Sequence, residues 1–105
     1  MRFLMKIPIP TAAENPIVGE PQFNETLRTL FLQLGAKATY SNTLAGRRIE
    51  YVLVDIEAAE IANVAEPVFR LLKVKPEFLP EVVPKPYYGR IGALARHGFG
   101  GGANQ

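Results

Sequence analysis

The sequence predicts an α+β domain with elements in the order strand, helix, strand, strand, helix, strand, and three observations predict it. Phe3, Met5, Ile7 and Ile9 alternate with Leu4 and Lys6, the period-2 signature of a strand. Two later stretches, 23–34 and 61–72, carry large apolar residues every three or four positions, the period of an amphipathic helix. Between them, the block Ala38 to Asp55 places two β-rich runs on either side of Ala45-Gly46, and Ile49 to Val54 is the most continuously β-branched and aromatic segment of the chain.

The first strand ends at Pro8 and Pro10, because proline has no N–H to give to a ladder. Thr11 to Gly19 shows no periodicity and contains Pro16 and Gly19, so it reads as a loop over the end of the sheet. Phe23, Leu27, Leu30, Phe31 and Leu34 form the first helical stripe, with Pro21 suited to its start and Gly35 to a left-handed stop. With a two-residue loop at Ala45-Gly46, Tyr40 falls opposite Tyr51 and Thr39 opposite Val52, so the two tyrosines share a face, whereas a longer loop slides that register.

Asp55 is positioned to cap the second helix, whose stripe is Ile61, Val64, Ala65, Val68, Leu71 and Leu72. Pro67 crowds the carbonyl of Asn63, which predicts a kink or a break near residues 63–66. The last strand is expected over 74–83. Pro76, Pro80, Pro84 and Pro86 all occupy even positions, so their missing donors point to one side, as in an edge strand. The domain therefore spans 1–86, followed by a Gly-rich, basic C-terminal tail, 87–105, expected to be partly disordered.

The 105 residues, 48% hydrophobic and 21% charged, suffice for one core. Zero cysteines exclude disulfides, thiolate nucleophiles and thiolate metal sites. Met1 to Ile9 is interrupted by Lys6 and Pro8, so neither a signal sequence nor a membrane span is predicted, and a cytoplasmic location is expected. A net charge of +2 does not imply nucleic acid.

The order βαββαβ gives the ferredoxin-like arrangement, a four-stranded antiparallel sheet with both helices on one face. The other face is left with Tyr40 or its neighbours, Leu4 and part of the third strand, and a second copy of the chain is the simplest cover. The length, the helix pair, the tract Tyr40 through Gly46 with Arg48, Tyr51 and Asp55, then Ala65-Glu66-Pro67 and a Pro-bearing last strand, resemble small members of the dimeric α+β barrel group. The resemblance covers roughly residues 1 to 84 and implies a homodimer that pairs into a barrel. That group includes cofactor-free monooxygenases, muconolactone-isomerase-like enzymes and haem-handling proteins, so it does not select a chemistry.

Tyr40, Arg48, Tyr51 and Asn42 are the candidate ligand-binding residues. Two phenols, a guanidinium and an amide would orient a small anionic or aromatic molecule in a pocket between sheet and helices. By parity Arg48 points away from Tyr51, and its alternative role is a solvated side chain or a salt bridge with Glu50 or an opposing carboxylate. His97, the sole imidazole, has no partner near it in sequence and reads as a tail residue. Glu57, Glu60 and Glu66 fit a helix's wet face, so no metal and no cofactor are expected. Ser41 lacks a glycine elbow, and Gly98-Phe99-Gly100-Gly101-Gly102 lacks the helix that a phosphate loop needs.

RNA-recognition domains share the element order, but the third strand here offers only Tyr51, next to Glu50, and the first strand only Phe3. The residues thus favour a homodimeric small-molecule binding or accessory protein. A cofactor-independent monooxygenase-like or isomerase-like enzyme is the alternative, and an RNA-binding or structural interaction module a second one. Whether the chain is an enzyme is left open.

Overall fold

The structure, a computed structural model, describes residues 1–81. Its elements are β1 (Arg2–Pro8), a 3-10 turn (Pro16–Gly19), α1 (Phe23–Gln33), β2 (Ala38–Leu44), β3 (Arg47–Asp55), a second 3-10 turn (Ala58–Glu60), α2 (Ile61–Leu72) and β4 (Glu77–Pro80). The four strands form one antiparallel sheet in the order β2-β3-β1-β4. The architecture is α+β and compatible with the ferredoxin-like arrangement. The domain boundary at 86, the tail 87–105, His97 and the glycines around Phe99 lie outside the described residues.

Alternation sorts the sheet into two faces. Phe3, Met5 and Ile7 of β1 and Val52 and Val54 of β3 share a face, since Phe3 pairs with Val54 and Met5 with Val52. These side chains form one core with Phe23, Leu27 and Phe31 of α1 and Val64, Val68 and Leu72 of α2. Both helices therefore cover the same side. Met5, Ile7, Val52, Val54, Val68 and Leu72 are fully buried. Each contributes on the order of 1.5 to 3 kcal/mol before entropy is subtracted. Phe78 of β4 closes the edge by packing edge-on against Phe3, with centroids 6.3 Å apart.

Four expectations are corrected in detail. α2 is one continuous helix through Pro67, so of the kink or break expected near residues 63–66 the break is absent. One missing N–H and a ring clash cost about 3 kcal/mol. The burial of Val64, Val68 and Leu72 on one face of the helix outweighs that cost. Asp55 does not cap the following helix. It accepts a hydrogen bond from the Met1 ammonium at 3.1 Å, and a reciprocal pair between Glu57 and Glu60 caps the 3-10 turn that leads into α2. That pairing with Asp55 and Glu57 raises the pKa of the Met1 ammonium.

The last strand is shorter than expected, Glu77–Pro80, and Val82 and Val83 lie outside the described residues. The proline parity nevertheless holds for Pro80: the N–H of Glu81, one position on, donates to the carbonyl of Arg2. The stretch 11–19 is also more ordered than a plain loop. Thr11 and Glu14 make a reciprocal capping pair, Thr11 N–H to Glu14 Oε1 at 2.8 Å and Glu14 N–H to Thr11 Oγ1 at 3.2 Å. Asn15 follows as the cap of the 3-10 turn, with Pro16 behind it.

Asn15 ties this loop to the domain. It is buried, its Oδ1 accepts from Ile17 N–H at 3.3 Å, and its Nδ2 donates to the carbonyls of Leu71 and Leu72 at 3.2 and 3.1 Å. Those carbonyls belong to the last turn of α2, where intrahelical partners run out. One side chain thus starts one helical turn and finishes another helix.

Candidate functional site

The β2–β3 hairpin positions the candidate residues. Ala45 and Gly46 both have positive φ, 54° and 78°, the requirement of a type I′ two-residue turn. That turn sets the register Tyr40 opposite Tyr51, Thr39 opposite Val52 and Asn42 opposite Ile49. Tyr40 and Tyr51 lie with ring centroids 6.2 Å apart at 37°, a tilted aromatic pair. Asn42 is on the same face, where its Oδ1 accepts from the N–H of Thr43 at 2.9 Å.

This is the face away from the helices. Lys6 pairs with Tyr51, and Leu4 pairs with both Leu53 and Leu79, so one row of it reads Ala38, Leu53, Leu4, Leu79 and the next Tyr40, Tyr51, Lys6, Glu77. The first row is entirely apolar. Leu79 is 39% exposed, and Leu4, Leu53, Tyr40 and Tyr51 are half-buried.

Arg48 does not join the tyrosines. Like Glu50 and Val52 it projects to the helix side. Its Nε donates to Glu50 Oε2 at 2.8 Å, its Nη1 donates to Asn24 Oδ1 at 2.9 Å, and its guanidinium carbon stands 5.9 Å from the centre of the Phe23 ring. The four sequence-derived residues are therefore divided, three on the open face and one beneath α1. They do not line one pocket.

Beneath α1 the chain makes a groove of about 340 Å³, walled by Leu27, Phe31 and Leu32 of α1, by Lys37, Ala38 and Thr39 at the start of β2, and by Arg48 and Glu50. Glu50 is only 5% exposed, while its partner Arg48 is half-buried. A buried carboxylate is costly unless it is paired, and Arg48 supplies the pairing. The sequence does not single out Asn24, Lys37 and Leu32, and it offers Glu50 only as one partner open to Arg48. The alternation of β3 held a signal for Glu50, which falls in the core-facing row between Arg48 and Val52.

The outer end of the hairpin is anchored separately. Arg47 donates from Nη1 to the carbonyl of Ile9 at 3.2 Å and pairs through Nη2 with Glu14 Oε2 at 3.3 Å. The Thr11 N–H and this guanidinium hold the Glu14 carboxyl below its usual pKa. Among the described residues no group of three or more His, Asp or Glu is placed to hold a metal ion, and no helix is long and apolar enough to cross a membrane. Comparison with protein-family models, with curated proteins and with solved structures finds no match, so the geometry carries the functional reading by itself.

Proposed function

We propose that this chain is a homodimeric small-molecule binding or accessory protein, in which a second copy covers the open face of the sheet. The observation that carries the reading is the contrast between the two faces. One is closed by two helices, while the other presents Leu4, Leu53, Leu79, Tyr40 and Tyr51 as a contiguous surface. Such a surface is of the kind that marks an interface. A two-fold axis through it makes the patch self-complementary and turns two open sheets into a barrel-like pair.

The Arg48–Glu50 groove supports the binding half of the reading. It is concave, mostly apolar, and has a few fixed polar groups at its floor. Light scattering over a dilution series tests the assembly: the full chain is expected at twice 11.6 kDa. Leu53→Glu, which places a charge at the centre of the open face, is expected to return the single-chain mass with an unchanged circular dichroism spectrum. A single-chain mass for the unsubstituted protein at all concentrations would overturn the dimer.

The enzyme reading has one observation in its favour, the buried Glu50 carboxylate in the groove, an interior polar group able to position a substrate. Turnover abolished by Glu50→Gln with stability retained would select it. The RNA reading loses its support on the first strand, because Phe3 is 4% exposed within the core and has no face free for stacking.

A further inference from the structure

We infer that the groove beneath α1 takes a small amphipathic anion, a carboxylate on an apolar body, with the carboxylate at Arg48 and Lys37 and the body along Leu27, Phe31 and Leu32; this rests on the small-molecule-binding reading above. Three features of the groove converge on that chemistry.

The first is charge. Three basic residues line the groove, Arg28, Lys37 and Arg48, against one acidic residue, Glu50. Arg28 is engaged with Glu25 at 2.7 Å, whereas Lys37 forms no ion pair among the described residues. Among the described residues an unpaired ammonium thus sits at the rim of a groove whose floor carries the Arg48 guanidinium, itself paired with Glu50 through Nε.

The second is preorganisation. Arg48 is fixed on three sides, by Glu50 at Nε, by Asn24 at Nη1 and by the face of Phe23. A guanidinium so held loses little rotamer freedom when it meets a carboxylate, and the fork geometry suits that partner. The buried Glu50 then serves as a positioning residue that keeps Arg48 in place, rather than as a ligand group.

The third is the apolar wall. Leu32 is 65% exposed, the most exposed of the large hydrophobic side chains described, and it lies on the lip of this groove beside Leu27 and Phe31. A leucine there offers apolar surface to whatever lies along the groove. A space of about 340 Å³ suits a molecule of roughly a dozen to twenty heavy atoms or smaller.

The test is titration of the full, 15N-labelled chain, followed by amide chemical shifts, with two probes, octanoate and 3-phenylpropionate. Their primary amides and octylamine serve as matched neutral and cationic controls. The carboxylates are expected to move the resonances of Leu32, Lys37, Thr39 and Glu50 and to bind at least about tenfold more tightly than the amides, the factor expected for one charge-assisted contact. Lys37→Gln, on an exposed residue whose side chain makes no hydrogen bond or ion pair among the described residues, is expected to weaken the carboxylates several-fold and leave the amides unchanged. The double substitution Arg48→Gln/Glu50→Gln removes both charges together, leaves no orphaned buried ion, and is expected to abolish the preference for carboxylates.

Amides or octylamine binding in the groove as tightly as the carboxylates would overturn the anion assignment and leave the small-molecule reading standing. So would carboxylate-induced shifts confined to Tyr40, Tyr51 and the open face. Absence of shifts from every probe at millimolar concentration would overturn the inference and the binding reading together.

Discussion

Asn15→Ala should be among the most damaging polar-to-alanine changes in this domain, although Asn15 lies in a stretch without periodicity. The substitution removes the Nδ2 donor from the carbonyls of Leu71 and Leu72, the latter fully buried, and the Oδ1 acceptor from Ile17 N–H. Each hydrogen bond contributes about 0.5–1.5 kcal/mol net, and a buried group left unmade costs about 1–3 kcal/mol. Two orphaned carbonyls, that of Leu71 only partly buried and so at about 1 kcal/mol, therefore predict a loss of about 2–4 kcal/mol. A domain of this size has roughly 5–10 kcal/mol in total. The melting temperature should fall by roughly 8–30 °C. Urea denaturation followed by far-ultraviolet circular dichroism measures the change directly.

Asn15→Asp sharpens the test. It keeps the acceptor for Ile17 but sets a carboxylate against two carbonyl oxygens, so it should be at least as damaging as alanine at neutral pH. Protonation lets the carboxyl donate one hydrogen bond, so the damage should lessen as pH falls. A loss below about 0.5 kcal/mol for Asn15→Ala, or an Asn15→Asp variant as stable as the unsubstituted chain at pH 7, would refute the proposed clamp.

Three further outcomes follow from the same structure. Leu27→Asp places a charge in the core at a residue 2% exposed, and loss of the cooperative thermal transition is expected rather than a folded, inactive protein. Ala45→Asn supplies the residue type that tolerates the positive φ of 54° and should raise stability by about 0.5–1 kcal/mol in the same denaturation assay, with an unchanged hairpin register. Glu14 has a lowered folded pKa, so its contribution is fully present above the ordinary value of 4.5 and is lost as pH falls through the folded value. Glu14→Gln should accordingly flatten the acid limb of the stability profile and leave the limb above neutral pH unaltered; an unchanged acid limb would count against the Glu14–Arg47 pairing.

Much of the fold is legible in the sequence because the periods are clean. The alternation from Phe3 to Ile9 assigns both faces of β1, and the two-residue turn at Ala45-Gly46 fixes the hairpin register, since a slip of one residue would turn every β3 side chain to the wrong face. Local rules misread the places where tertiary contacts decide. Pro67 should break a helix in isolation, yet burial of Val64, Val68 and Leu72 holds α2 together across it. Asp55 has cap chemistry, but the ammonium of Met1 reaches it first. Asn15 reads as a loop residue, because its partners are 56 and 57 positions away in the chain.

The site was half legible. Parity separates Arg48 from Tyr51, but leaves Arg48 open to water, to Glu50 or to an opposing carboxylate, and the structure pairs it with Glu50. The groove itself depends on how α1 lies over β2 and β3, which no spacing within a single element records. Asn24 and Arg48 come together across 24 positions of sequence.

The central claim is that a second copy of the chain covers the open sheet face. Isotope-filtered nuclear Overhauser spectroscopy on a mixture of labelled and unlabelled chains reads this most directly, through contacts that only two molecules can make. Intermolecular signals are expected from the methyl groups of Leu4, Leu53 and Leu79 and from the Tyr40 and Tyr51 rings, and none from Val64 or Val68 on the core-facing side of α2. An absence of intermolecular signals on those leucines, at concentrations where a dimer should dominate, would contradict it.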